Sequence, residues 1–140
     1  MPKIEANILV EMKKIYLFLV FVSLLAACQE SLEERAAREA RVVTETKCPM
    51  PVGDNMFLDS VVFDIPTLTQ TQFFRIYGEL DNDSVLGSFD IYTILLSELK
   101  NSPSYKALID RGIDFRYIYR STANPDVVLL DLTLTPEDYK

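Results

Sequence analysis

Gly112-Ile113-Asp114-Phe115-Arg116-Tyr117-Ile118-Tyr119-Arg120 is the stretch that decides the fold. Phe115, Tyr117 and Tyr119 alternate with Asp114, Arg116 and Arg120, the period of a strand with one buried face. Working outward, Ser121 to Asp126 reads as a turn. Val127 to Thr135 reads as the next strand, with Val128, Leu130, Leu132 and Leu134 alternating with Asp131, Thr133 and Thr135. Upstream, Gly112 is placed to stop a short helix over 103–111, and Pro103 suits its first turn. Before Asn101-Ser102-Pro103, a longer helix is expected from Ser84 to Lys100, with an apolar stripe of Val85, Phe89, Tyr92, Leu95, Leu96 and Leu99.

The first half of the chain has the same layout. Val61, Val62, Phe63 and Ile65 make Phe57 to Ile65 a strand, closed by Pro66. Gln72 to Leu80 reads as its hairpin partner, with Phe74, Ile76 and Leu80 on one face, Phe73, Arg75 and Tyr77 on the other, and 66–71 as the connection. Leu32, Ala36, Ala40 and Val43 predict a helix over 31–46, supported by the i,i+4 pair Glu34 and Arg38. Cys48-Pro49-Met50-Pro51-Val52-Gly53-Asp54 ends that helix. The expected class is α+β: an N-terminal helix, then an antiparallel sheet of about four strands in β-β-α-α-β-β order, covered on one face by helix.

The N-terminus has a different character. Lys13 and Lys14 precede an apolar run of 13 residues, Ile15 to Ala27, and Leu25-Ala26-Ala27-Cys28 follows. A membrane span needs about 20 apolar residues, so the run fits a signal peptide better than a permanent helix. Leucine, alanine and cysteine in these places resemble the lipobox of bacterial lipoproteins. That resemblance implies cleavage between Ala27 and Cys28, and diacylglyceryl and N-acyl lipid on Cys28 as the only attached group. Glu5 and Glu11 are unusual in a signal, which predicts that translation begins at Met12. The expected organisation is a signal over 1–27, a lipidated tether and helix over 28–47, and one domain over 48–140.

Composition removes several functions. Deleting 1–27 takes three lysines and two glutamates from a chain of net charge −7, leaving 113 residues of net charge −8. Such a surface does not suit nucleic acid or anionic lipid. The chain has no histidine, which excludes His-based triads and most zinc sites. Asp81-Asn82-Asp83-Ser84 lacks the glycine and glutamate that a calcium loop needs six and twelve positions in, and reads as a helix-capping turn. No metal and no cofactor is therefore expected. Cys48 has no partner cysteine in the mature chain and is expected to be buried.

Pro49-Met50-Pro51-Val52-Gly53-Asp54 followed by Leu58-Asp59-Ser60, with Gly112 to Tyr119 and the ending Thr135-Pro136-Glu137-Asp138-Tyr139, resembles a family of small Gram-negative bacterial proteins and lipoproteins. Their pattern is P-x-x-V-D…LDS with a G-x-x-F-x-Y-x-Y strand, and the resemblance spans Thr46 to Tyr139. It departs in the insertion of Gly53 and in Met56-Phe57, where Thr-Arg is usual. It implies a fold and no activity.

Three functions remain. The first is a non-enzymatic binding or accessory lipoprotein of the cell envelope. It would be anchored through its lipid in the outer membrane, facing the periplasm or cell surface, and would hold an envelope protein partner. Phe73, Arg75, Tyr77, Arg116 and Arg120 are its candidate partner surface, since Tyr and Arg are frequent interface anchors. The second is a carrier of a small ligand or lipid between sheet and helix, against which the small interior counts. The third is a carboxylate-dependent envelope hydrolase using Asp54 with Asp59, or Asp114 with Asp131. The anchor is directly testable. Radiolabelled palmitate fed to cells should appear on the wild-type chain and vanish from Cys28→Ala, and a label that persists would refute Cys28 as the site.

Overall fold

The computed structural model describes residues 2–27 and 29–140, the side chains of 2–4 and 23–27 excepted. Cys28, and with it the expected Ala27–Cys28 junction, lies outside the described residues. The chain divides into two units, Met1–Ser31 and Leu32–Lys140. The first contains helix α1, Pro2–Ala27. No described helix is long and apolar enough to cross a membrane.

The second unit is a mixed α+β layer structure. Helix α2, Leu32–Lys47, leads to strands β1 (Met50–Pro51), β2 (Met56–Asp64) and β3 (Thr69–Ile76). Helices α3 (Asp83–Leu86), α4 (Ile91–Asn101) and α5 (Lys106–Arg111) follow, with single 3-10 turns at Gly78–Leu80 and Pro103–Tyr105. Strands β4 (Asp114–Ser121) and β5 (Val128–Leu134) and helix α6 (Pro136–Tyr139) complete it. Among the described residues there are thus six α-helices and one five-stranded sheet, ordered β1-β2-β3-β4-β5.

Three expectations need correction. The sheet has five strands rather than about four, because Met50 and Pro51 pair with Leu58 and Phe57 at the sheet edge. Proline lacks an N–H and is tolerated there, so a segment that breaks helices still makes a short strand. The sheet is also not wholly antiparallel. β3 and β4 run parallel, from Thr69 opposite Asp114 to Ile76 opposite Ser121. A parallel neighbour needs a long crossover, and residues 77–113 supply it. Lastly, the helix expected from Ser84 to Lys100 is two helices. The Asn82 side chain accepts from Ser84 N at 2.8 Å to begin α3, and Asp90 Oδ1 accepts from Thr93 N at 3.2 Å to begin α4. The stripe splits accordingly: Leu95 and Leu99 are buried, whereas Val85, Phe89 and Tyr92 are exposed.

Strand β3 begins three residues before its expected start and ends at Ile76. Gly78 turns the chain at φ +68°, where other residues are strained, and a Cβ there would also push on the Asn55 side chain, whose Oδ1 lies 2.8 Å from that position. Gly112 closes α5 at φ +84°, as its sequence position implies.

One sheet face is buried under helices. Leu58, Phe74, Ile76, Phe115 and Leu134 point into a core shared with Leu95, Leu99 and Leu108. Helix α2 presents Ala36 and Ala40 to the sheet, whose small side chains allow close approach. At its end, Thr44 Oγ1 accepts from Val61 N at 2.8 Å and donates to Val61 O at 2.9 Å. This hydroxyl satisfies both backbone groups of Val61, a strand residue on β2. Thr44→Val removes both bonds at nearly constant volume and should lower stability by about 1–3 kcal/mol, read as a reduced urea midpoint with unchanged slope. Val62→Ala, at an exposed site, should shift it by less than about 0.5 kcal/mol.

Candidate functional site

The helix layer does not fill the space above the sheet. A cavity of about 530 Å³ lies between the sheet and α4, within the range of ligand pockets. Phe74, Tyr117 and Tyr119 line its sheet side, and Leu95 and Leu99 its helix side. Phe89 and Ile94, 51% and 48% exposed, stand at the mouth with Glu98. The break between α3 and α4 creates this arrangement, since it leaves Phe89 outside either helix. Gln72 Nε2 donates to Tyr105 Oη at 3.2 Å. The two residues also line a second cavity, of about 780 Å³, beside α2.

The cavity is apolar with a few hydroxyls and one carboxylate. Burial, and then the nearby Glu98 carboxylate, push the Tyr119 phenol up to about 12. Burial also raises Tyr117, with smaller contributions from Tyr105, Tyr119 and Glu98. Both phenols therefore remain protonated near neutrality. No group of three or more His, Cys, Asp or Glu able to hold a metal occurs among the described residues.

The candidate partner surface lies on the opposite face of the sheet. Phe73 stands beside Ile118, and Arg75 beside Arg120. Arg116 lies two residues along β4 from Ile118 on the same face. Tyr77 follows β3, and its ring lies 5.2 Å from Phe57. The structure thus gathers all five residues on or beside one face, uncovered by helix, but two of the arginines are engaged. Arg75 grips Asp59 through Nε and Nη2 at 3.1–3.3 Å and lies 5.1 Å from the Phe57 ring centre. Arg116 makes a forked pair with Asp131 at 2.9 and 2.6 Å. Arg120 has no ion-pair partner among the described residues.

These pairs also bear on the carboxylates. Asp59 and Asp131 are each held by an arginine, and Asp54 lies in the turn before β2. Asp131 stands opposite Ile118, four residues along β4 from Asp114. That is about 13 Å of strand, beyond the roughly 5–10 Å of glycosidase pairs. Cys48 is partly buried against the core, and burial pushes its thiol up.

Sequence reasoning allowed for a space between sheet and helix only as a carrier's, counted the small interior against it, and assigned no residue to its lining. Tyr117 and Tyr119 alternate as core residues whether the space above them is full or hollow. Two signals were present: tyrosines where an ordinary core takes Phe or Leu, and Gly87-Ser88 inside the expected helix.

The signature of a protein family described as domain of unknown function (DUF8479) matches residues 31–130. The chain belongs to this family. Comparison with curated proteins gives no match. Among solved structures, a Pseudomonas aeruginosa protein provisionally assigned as secreted aligns at TM-score 0.60 and 9% identity, over 80% of this chain and all of that one. The pilotin EpsS of the Vibrio vulnificus type 2 secretion system aligns at 0.55 and 15%, over 78% of this chain and 92% of its own. The type II secretion system pilotin AspS of Vibrio cholerae aligns at 0.53 and 19%, over 81% and 97%. At these identities the shared property is the fold.

The Arg116–Asp131 pair gives a pH signature. The Arg116 hydrogen bonds hold the Asp131 carboxyl below its ordinary value. A depressed folded value means stability present above the unfolded value, near 3.9, and lost as pH falls through the folded one. Both side chains are more than 40% exposed, so the contribution is at most about 1 kcal/mol. Arg116→Gln should be less stable than wild type at pH 7, and urea unfolding at decreasing pH should show the gap closing below about pH 4.

Proposed function

We propose that this chain is a non-enzymatic accessory lipoprotein of the bacterial envelope, anchored through Cys28, that docks an apolar segment of a protein partner in the cavity between α4 and the sheet. The observation that carries this is the cavity: about 530 Å³, with Phe89 and Ile94 exposed at its mouth. Large apolar side chains around a concave apolar site mark binding surfaces more than ordinary surface. The fold shared with two pilotins of Vibrio type 2 secretion systems supports a partner within an envelope assembly. Engagement of Asp59 and Asp131 by arginines supports binding over hydrolysis. The open sheet face is the weaker docking surface, because a partner there would have to desolvate or break two Arg–Asp pairs.

Photo-crosslinking in living cells tests this. A photoreactive residue at Ile94, at the cavity mouth, should yield one crosslinked envelope protein, identified by mass spectrometry. The same residue at Arg116, on the opposite face, should not. The adduct should weaken when Cys28→Ala releases the chain from the membrane. Crosslinks from position 116 and none from 94 would move the interface to the open face. Lipid adducts alone at 94 would replace the protein partner with a lipid ligand.

A further inference from the structure

Two tyrosine hydroxyls in the cavity have no hydrogen-bond partner among the described residues. Tyr117 and Tyr119 stand two residues apart on β4 and are only 5% and 4% exposed. Among the described residues neither phenol oxygen is hydrogen-bonded. Among the described residues no fully occluded side-chain nitrogen or oxygen lacks a partner, so both oxygens reach open space, and the cavity is the space both residues line. A side chain so buried normally finds a hydrogen bond. The neighbouring Tyr105 does, from Gln72. The two free hydroxyls therefore form a polar feature inside an apolar site, available to whatever enters.

The charge balance indicates what enters. Five aromatic rings line the cavity: Phe74, Phe89, Tyr105, Tyr117 and Tyr119. Phe74 and Tyr119 are stacked, with ring centres 4.8 Å apart. Ring faces attract cations. Glu98 is the one charged residue in the lining, which contains no lysine or arginine. Phenol oxygens, ring faces and a carboxylate together favour a positively charged nitrogen. An entering carboxylate would gain two O–H donors but would meet Glu98 in a cavity without a cation.

We propose that Tyr117, Tyr119 and Glu98 make the cavity a receptor for a basic side chain, a lysine or arginine carried on the apolar partner segment. This rests on the docking role proposed above. The aliphatic stem of such a side chain packs against Leu95, Leu99 and Phe74, and its nitrogen donates to the phenol oxygens and to Glu98. A protein segment suits the mouth better than a free small amine. Phe89 and Ile94 flank the opening and would stay wet around a small ligand, whereas a segment covers them.

Three water-soluble probes of equal length separate the contributions: n-butylammonium, 1-butanol and n-butyrate. They are titrated into the full lipidated chain in phospholipid nanodiscs, and the methyl NMR shifts of Ile94, Leu95 and Leu99 are followed. Butylammonium should bind at least about tenfold more tightly than butyrate, with butanol between. Glu98→Gln with Tyr117→Phe and Tyr119→Phe should bring butylammonium down to the level of butanol in the same variant, with a much smaller loss for butanol itself. Glu98→Lys, a change at an exposed position, should reverse the preference toward butyrate. Butyrate binding as tightly as butylammonium, or variants that bind butylammonium as wild type does, would overturn the cation site while butanol entry leaves the docking role standing. Failure of all three probes to shift those methyls would overturn the docking role as well.

Discussion

The parallel pairing of β3 with β4 is the constraint from which the rest of the domain follows. It places Ile76 and Asp114 at opposite ends of adjacent strands, so the chain must return the full length of the sheet before β4 can start. An eight-residue strand is about 26 Å long. One unbroken helix from Ser84 to Lys100 would have been about 26 Å and would have covered it. The chain instead breaks at Gly87 to Asp90 and leaves α4 with 11 residues, about 16 Å. Beside α2, which is 16 residues long, α4 is therefore shorter than the strands it crosses. Leu95 and Leu99 still reach the core, but Phe89 and Ile94 are left at an opening, and Tyr117 and Tyr119 face a hollow.

The two sheet faces consequently differ in kind. On the open face, two of the three arginines are matched within the sheet: Arg75 with Asp59 across β3 and β2, and Arg116 with Asp131 across β4 and β5. Exposed pairs of this sort add little to stability, about 0–1 kcal/mol each. Their larger effect is on surface chemistry. They hold long side chains across the strands and leave Ile118 only 6% exposed. The covered face has the opposite balance: apolar walls, unpaired phenols and a single carboxylate. A partner approaching the open face would have to give up existing bonds, whereas one entering the covered face would form bonds that are now missing.

How much of this was legible in the sequence varies with the range of the interaction. The alternation of Phe115, Tyr117 and Tyr119 is imposed by a single strand lying between two environments, and it reads directly. So do the glycine stop at Gly112 and the helix caps near Asn82, which depend on a few neighbouring residues. The first half of β3 does not. Thr69-Gln70-Thr71-Gln72 is polar on both sides, yet it lies in the middle of the sheet, between β2 and β4. Thr69 and Thr71 belong to the open face, while Gln70 and Gln72 face cavities rather than packed core. The polarity of Gln70 and Gln72 was a sign of hollow space, and periodicity alone put Thr69 to Thr71 into the connection. Strand β1 was invisible because two residues carry no period, and the parallel pairing because it is fixed by contacts over 40 residues apart.

The proposed anchor changes what affinity the cavity must supply. Between Cys28 and the first residue of α2 lie only Gln29, Glu30 and Ser31, which span about 10 Å when extended. A lipid on Cys28 would thus confine the domain to a thin layer beside the membrane. A cavity of about 530 Å³ accepts only a few side chains of a partner segment, and docking of that size is weak for partners free in solution. Confinement of both partners to one surface raises their effective concentration toward the millimolar range, where weak docking is enough. The same confinement keeps exchange fast, because little binding energy has to be surrendered on release. For two partners held on one surface, a small apolar site with one charge-selective contact gives selectivity at modest affinity, which a large, dry interface does not.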